Sequence, residues 1–142
     1  MSISARNLFK GTVSAITGGP LNAEVEITTA GGDKIVAMLT ETSVQSLGLE
    51  VGTVAVAVVK ATWVTLLTHT PGYRFSARNQ LHGKVNGLQK SGASCEVKVL
   101  LPGGSVVYAM VTSDAADAMG LTIGVQLTAM FKASHVLLGV PS

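Results

Sequence analysis

Between residues 8 and 67 the apolar positions form short runs whose period changes along the chain. Leu8 to Ile16 reads as a first strand. Ala23 to Thr29 alternates Val25 and Ile27 with polar residues, the period of a half-buried strand. Ala30-Gly31-Gly32-Asp33 interrupts the pattern and predicts a hairpin, because glycine supplies positive φ without a Cβ clash. Lys34 to Thr40 is a third strand. Thr42-Ser43-Val44-Gln45-Ser46-Leu47-Gly48 then offers an N-cap hydroxyl, one or two helical turns and a terminating glycine. Thr53 to Val59 is β-branched and almost wholly apolar, which predicts a strand covered on both faces. Thr62 to Leu67 is the fifth strand.

The same series occurs twice. Shifted by 72 residues, Ser4 falls on Ser76, and no gap is needed through the rest of the unit. Of 65 aligned positions (4–68 over 76–140), 21 are identical, far above chance. Gly11 meets Gly83, Glu24-Val25 meets Glu96-Val97, and Gly31-Gly32 meets Gly103-Gly104. Ser113-Asp114-Ala115-Ala116-Asp117-Ala118-Met119-Gly120 repeats the helix signal more strongly. The division predicts two domains, 1–70 and 71–142, joined by a linker at His69 to Phe75 with Pro71-Gly72 as its turn. Three strands, a short helix and two strands is the element order of an OB-type barrel. The expected fold is all-β: two tandem five-stranded OB-like Greek-key barrels, each with one short helix.

Composition narrows the function. Of 142 residues 47% are hydrophobic and 13% charged, which excludes disorder. The longest apolar run, Val54 to Val59, is far too short to span a membrane. The opening Met1-Ser-Ile-Ser-Ala-Arg-Asn has no apolar signal core, so a cytoplasmic location is expected. Cys95 is the single cysteine and reads as a packing residue. His69, His82 and His135 lack metal-ligand spacing. Poor charge in so short a chain points to surface hidden in an oligomer.

The polar identities between the copies are the candidate chemistry. They are Ser4-Ala5-Arg6-Asn7 and Ser76-Ala77-Arg78-Asn79, Thr40 and Thr112, then Lys60-Ala61-Thr62-Trp63-Val64 and Lys132-Ala133-Ser134-His135-Val136. Each has a bland reading: a surface arginine at a strand entry, a threonine in a strand, a lysine snorkelling from an apolar strand. In this order, twice, they carry a resemblance. Each half resembles a Mop domain, the small molybdate-binding (molbindin) module related to TOBE domains, and the pair resembles the di-Mop molybdate-binding proteins over nearly the whole chain. The resemblance implies a homotrimer about a threefold axis, oxyanions held between subunits, and no catalysis. It assigns molybdate binding to Ser4, Ala5, Arg6, Asn7, Thr40, Lys60, Ala61 and Thr62, and to Ser76, Ala77, Arg78, Asn79, Thr112, Lys132, Ala133 and Ser134.

The donor set suits that ligand. Molybdate is a tetrahedral dianion whose oxygens only accept hydrogen bonds at neutral pH. Arginine and lysine supply charged donors; hydroxyls and backbone amides supply neutral ones. No acid lies within either motif, which disfavours monohydrogen phosphate, whose proton needs an acceptor. Tungstate, nearly the same size, is expected to bind as well. Storage, buffering or homeostasis of molybdate is the expected role, with delivery or regulation as an alternative. The other alternative, an OB-type nucleic-acid binder, wants stacking aromatics and a basic groove. The chain has six aromatics, a net charge of +2 and no Lys/Arg run, so no nucleic-acid partner is expected. No catalytic triad or paired-carboxylate spacing stands out, and no enzyme is expected.

Overall fold

The structure, a computed structural model, describes residues 3–68 and 72–142. His69, Thr70 and Pro71 of the expected linker lie outside the described residues. The first repeat forms β1 (Asn7–Gly18), β2 (Asn22–Thr29), β3 (Lys34–Thr40), α1 (Glu41–Leu47), β4 (Val54–Val59), a 3-10 turn (Ala61–Trp63) and β5 (Thr65–Leu67). The second forms β6 (Asn79–Ser91), β7 (Ser94–Leu100), β8 (Val106–Thr112), α2 (Ser113–Ala118), β9 (Gln126–Phe131), a 3-10 turn (Ala133–His135) and β10 (Leu137–Gly139).

Period-2 alternation builds the interior. On β2, Ala23, Val25 and Ile27 are buried while Glu24, Glu26 and Thr28 face outward; on β7, Cys95, Val97 and Val99 do the same. Both helices start one strand-end earlier than the sequence suggests. Thr40 Oγ1 accepts from the Ser43 N–H at 3.1 Å, so Thr40 and not Thr42 is the N-cap of α1, and Gly48 closes it at φ 65°. Thr112 caps α2 in the same way, accepting from Ala115 N–H at 3.0 Å. The last residue of strand three thus serves as the first of the helix motif. The fifth strand begins at Thr65, because Thr62 and Trp63 belong to the 3-10 turn. β4 is covered on its inner face, but Val54 at its outer end is 59% exposed.

The strand order departs from two self-contained barrels. The sheets read β10-β4-β1-β2-β3 and β5-β9-β6-β7-β8. Each repeat therefore closes the other's sheet: Leu137 and Leu138 pair with Val58 and Ala57, and Thr65 and Leu66 pair with Met130 and Ala129. The 3-10 turns direct this exchange, since each redirects the chain between strand four and strand five and packs against the other half's third strand. β4 and β9 are near-equivalent templates, so hydrophobic pattern could not choose between them.

The hairpin tips also interlock. A Cβ on Gly31 would lie 1.8 Å from the Gly103 carbonyl oxygen, so this glycine exists for close approach, whereas Gly32 supplies positive φ (95°). Asp33 fixes the crossing by accepting from the N–H groups of Gly103 (2.9 Å) and Ser105 (3.1 Å).

Candidate functional site

Strand register unites the two motifs of each half. Asn7 pairs with Val59 and Asn79 with Phe131, so Arg6 and Lys60, and likewise Arg78 and Lys132, leave neighbouring strands side by side. In the second half Ser76, Ala77, Lys132 and His135 line one groove of about 320 Å³, together with Trp63 and Thr65 from the first. Ala61 and Ala133 are buried at the starts of the 3-10 turns, while Thr62 and Ser134 beside them are exposed. Each turn's own bonds use the N–H groups of its third and following residues (Trp63 to Lys60 O at 3.0 Å, Val64 to Ala61 O at 3.3 Å). The amides of Ala61 and Thr62 take no part in those two bonds.

The two asparagines have a different duty. Asn7 is 1% exposed and Asn79 2%. Each carboxamide is taken up by the opposite half: Asn7 by the Tyr108 backbone (2.8 and 2.6 Å), Asn79 by the Val36 backbone (2.8 Å each way). Both lie with the motif, but their polar atoms are engaged in holding an edge strand.

The arginines also cross between halves. Arg6 Nε donates to Glu96 at 3.0 Å and its Cζ sits 4.4 Å from the Tyr108 ring centroid; Arg78 Nε lies 3.3 Å from Glu24. The hydrogen bond to Glu96, and then its charge, raise the Arg6 pKa further above its usual range, so it stays cationic. The expectation of a donor set free of acids holds along the sequence and not in space. Interlocking of the halves brings a carboxylate to each arginine, a contact that sequence spacing could not show. Its signal was present: Glu24 and Glu96 are identical at the 72-residue shift.

The threonines come from the half opposite their arginine. Glu96 shares β7 with Ser94, which pairs with Thr112, and Glu24 shares β2 with Asn22, which pairs with Thr40. Arg6 lies with Ser94, Glu96 and Met110 along a second groove of about 500 Å³. Both hydroxyls accept as helix caps, and the Thr40 hydroxyl also lies 2.9 Å from Ser43 Oγ. Lys60 is exposed, with Nζ 5.4 Å from the Trp63 ring centroid. Trp63 and His135, which replace each other between the copies, pack with ring centroids 4.3 Å apart and planes tilted by 36°.

Comparison with known proteins gives the family of the two repeats. The TOBE domain model matches residues 3–66 and 76–138. The molybdenum transport protein ModE of Herbaspirillum seropedicae is 42% identical over 99% of this chain and 52% of its own length. The DNA-binding transcriptional dual regulator ModE of Escherichia coli K12 is 30% identical over 97% of this chain and 52% of its own. The chain spans about half the length of these relatives. Among solved structures, the cytoplasmic molybdate-binding protein ModG with molybdate bound superposes with a TM-score of 0.93 and 50% identity, over 99% of this chain and 100% of that one. With a family match in each repeat, the chain belongs to the TOBE domain family, as two copies in tandem.

Proposed function

We propose that the chain binds molybdate, and tungstate in its place, at donor-rich sites between subunits, for storage, buffering or homeostasis in the cytoplasm. The observation that carries this is the convergence, in each half, of the Ser-Ala-Arg-Asn and Lys-Ala motifs at the ends of paired strands. Each site draws Ser, Ala, Arg, Lys, Ala and Thr or Ser from one half, namely Ser4 to Arg6 with Lys60 to Thr62, and Ser76 to Arg78 with Lys132 to Ser134. Asn7 and Asn79 hold the frame beside it. Thr112 and Thr40 approach from the opposite half. A tetrahedral dianion there meets charged donors, hydroxyls and backbone amides together. The molybdate-bound ModG relative supports the ligand. Mass-spectrometric metal analysis of the purified protein at known concentration tests it: molybdenum in proportion to protein supports the reading, and its absence after growth with molybdate contradicts it.

The proposal includes three chains per particle. Exposed apolar side chains on one face of the first sheet support association: Leu137 is 64% and Val54 59% exposed, and Leu8 flanks Val58 on the side away from Leu137. The matching face of the second sheet carries Gln80, His82, Gln126 and Thr128. The number three comes from the resemblance. Analytical ultracentrifugation checks it, a stable monomer at micromolar concentration being the contrary result.

Neither catalysis nor nucleic-acid binding forms part of the proposal. Among the described residues, Arg6, Lys34, Arg78 and Lys90 are each paired with an acid, so these four of the ten basic side chains are offset locally. The Escherichia coli relative is DNA-binding by name, but matches over about half its length. A salt-titrated DNA-binding assay on this chain separates the readings.

A further inference from the structure

Glu24 and Glu96 hold equivalent places on β2 and β7, and each reaches the arginine of the other half. A carboxylate beside an anion site opposes a dianion, so its presence at both sites calls for a compensating role. A guanidinium has five N–H donors in one plane. Glu96 takes Nε (3.0 Å) and one hydrogen of Nη2 (3.4 Å), which leaves the Nη1 edge without a partner among the described residues. Tyr108 covers one face of the same group at 4.4 Å. At Arg78 the position of Tyr108 is held by Val36, and Nε faces the two Glu24 oxygens at 3.3 and 3.5 Å. Both arginines are 55% exposed, so without these anchors their long side chains would sample many rotamers.

We propose that Glu24 and Glu96 are positioning residues of the oxyanion sites. Each fixes the arginine across the junction of the halves, so that its free edge meets the anion in one geometry. The inference rests on the oxyanion reading above. Preorganising one long side chain is worth roughly two- to tenfold in affinity. The sites differ in their anchors: Arg6 keeps the Tyr108 ring if Glu96 is lost, whereas Arg78 depends on Glu24.

Isothermal titration of the full chain with molybdate and with sulfate tests this, with thermal melts as a folding control. Glu24→Ala is expected to weaken molybdate binding roughly two- to tenfold at half the sites and to lower the molybdate-over-sulfate ratio. That ratio is insensitive to the folded fraction, so a merely structural role would not move it. Glu96→Ala is expected to act in the same direction but less, and Glu24→Gln to restore most of the loss through its remaining acceptor. Tighter binding in the alanine variants would overturn the inference, because the glutamates would then be competitors of the anion. Unchanged affinity and ratio would overturn it too. Absence of binding by the unaltered chain would overturn the oxyanion reading itself, and this inference with it.

Discussion

Asn79 and Val36 join the two halves through a closed pair of hydrogen bonds. The Val36 N–H donates to Asn79 Oδ1 at 2.8 Å, and Asn79 Nδ2 donates to the Val36 carbonyl at 2.8 Å. Val36 lies on β3, the edge of its sheet, where outward backbone groups would otherwise lack partners. Asn7 does the same for Tyr108 on the other edge, β8. A side-chain amide here imitates a neighbouring strand.

Loss of this clamp is expected to destabilise the chain strongly. Asn79→Ala leaves a buried N–H and C=O of Val36 unpaired, a loss of about 2–4 kcal/mol. Urea unfolding should show a lower midpoint; an unchanged midpoint would contradict the structural duty assigned to Asn79.

The crossing of the hairpin tips gives a second test. Gly31→Ala places a Cβ 1.8 Å from the Gly103 carbonyl oxygen, so the tips must separate. Overpacking of this kind costs about 1–3 kcal/mol, and the Asp33 bonds to Gly103 and Ser105 weaken with it. Thermal unfolding of the variant measures the effect, and a melting temperature equal to the parent's would speak against the contact.

The exchanged fifth strands predict how a single repeat behaves. A fragment of residues 1–70 retains β5 but lacks β9, the strand on which it lies, and its β4 lacks β10. Two fragments can supply each other's missing strand, so the fragment is expected to elute as a dimer in size-exclusion chromatography. A folded monomer would show that β5 can return to its own β4.

Much of this was legible in the residues. The 72-residue repeat, the β content, the short helices and the double-glycine hairpins follow from period and turn chemistry. What period could not reveal is which of two similar templates a strand selects. Thr65 to Leu67 fits β4 or β9 equally by pattern, and a turn of three residues decides. The site was legible as types and not as roles. Asn7 and Asn79 were identical for a backbone clamp, and Thr40 and Thr112 for helix caps, duties that identity between copies cannot separate from ligand binding. Glu24 and Glu96 are equally identical, but their arginines lie far away in sequence and meet them only across the halves.

The lysines give the affinity test. Lys60 and Lys132 are exposed at the ends of apolar strands and contribute little packing. Lys132→Ala is expected to weaken molybdate binding about ten- to a hundredfold at half the sites, the loss of one charged hydrogen bond, with the fold intact. Lys60→Ala should do the same at the other half while also removing the cation above Trp63. Circular dichroism of both variants confirms that folding is not the cause.

Each half of the chain is proposed to bind one tetrahedral dianion where its two motifs meet. Isothermal titration of the intact chain, beside the Lys60→Ala, Lys132→Ala double variant, tests it most directly. At least one molybdate per motif set is expected in the parent, and binding in the folded double variant is expected to weaken to the edge of detection. Full-strength binding in the double variant, or no binding by the parent, would contradict it.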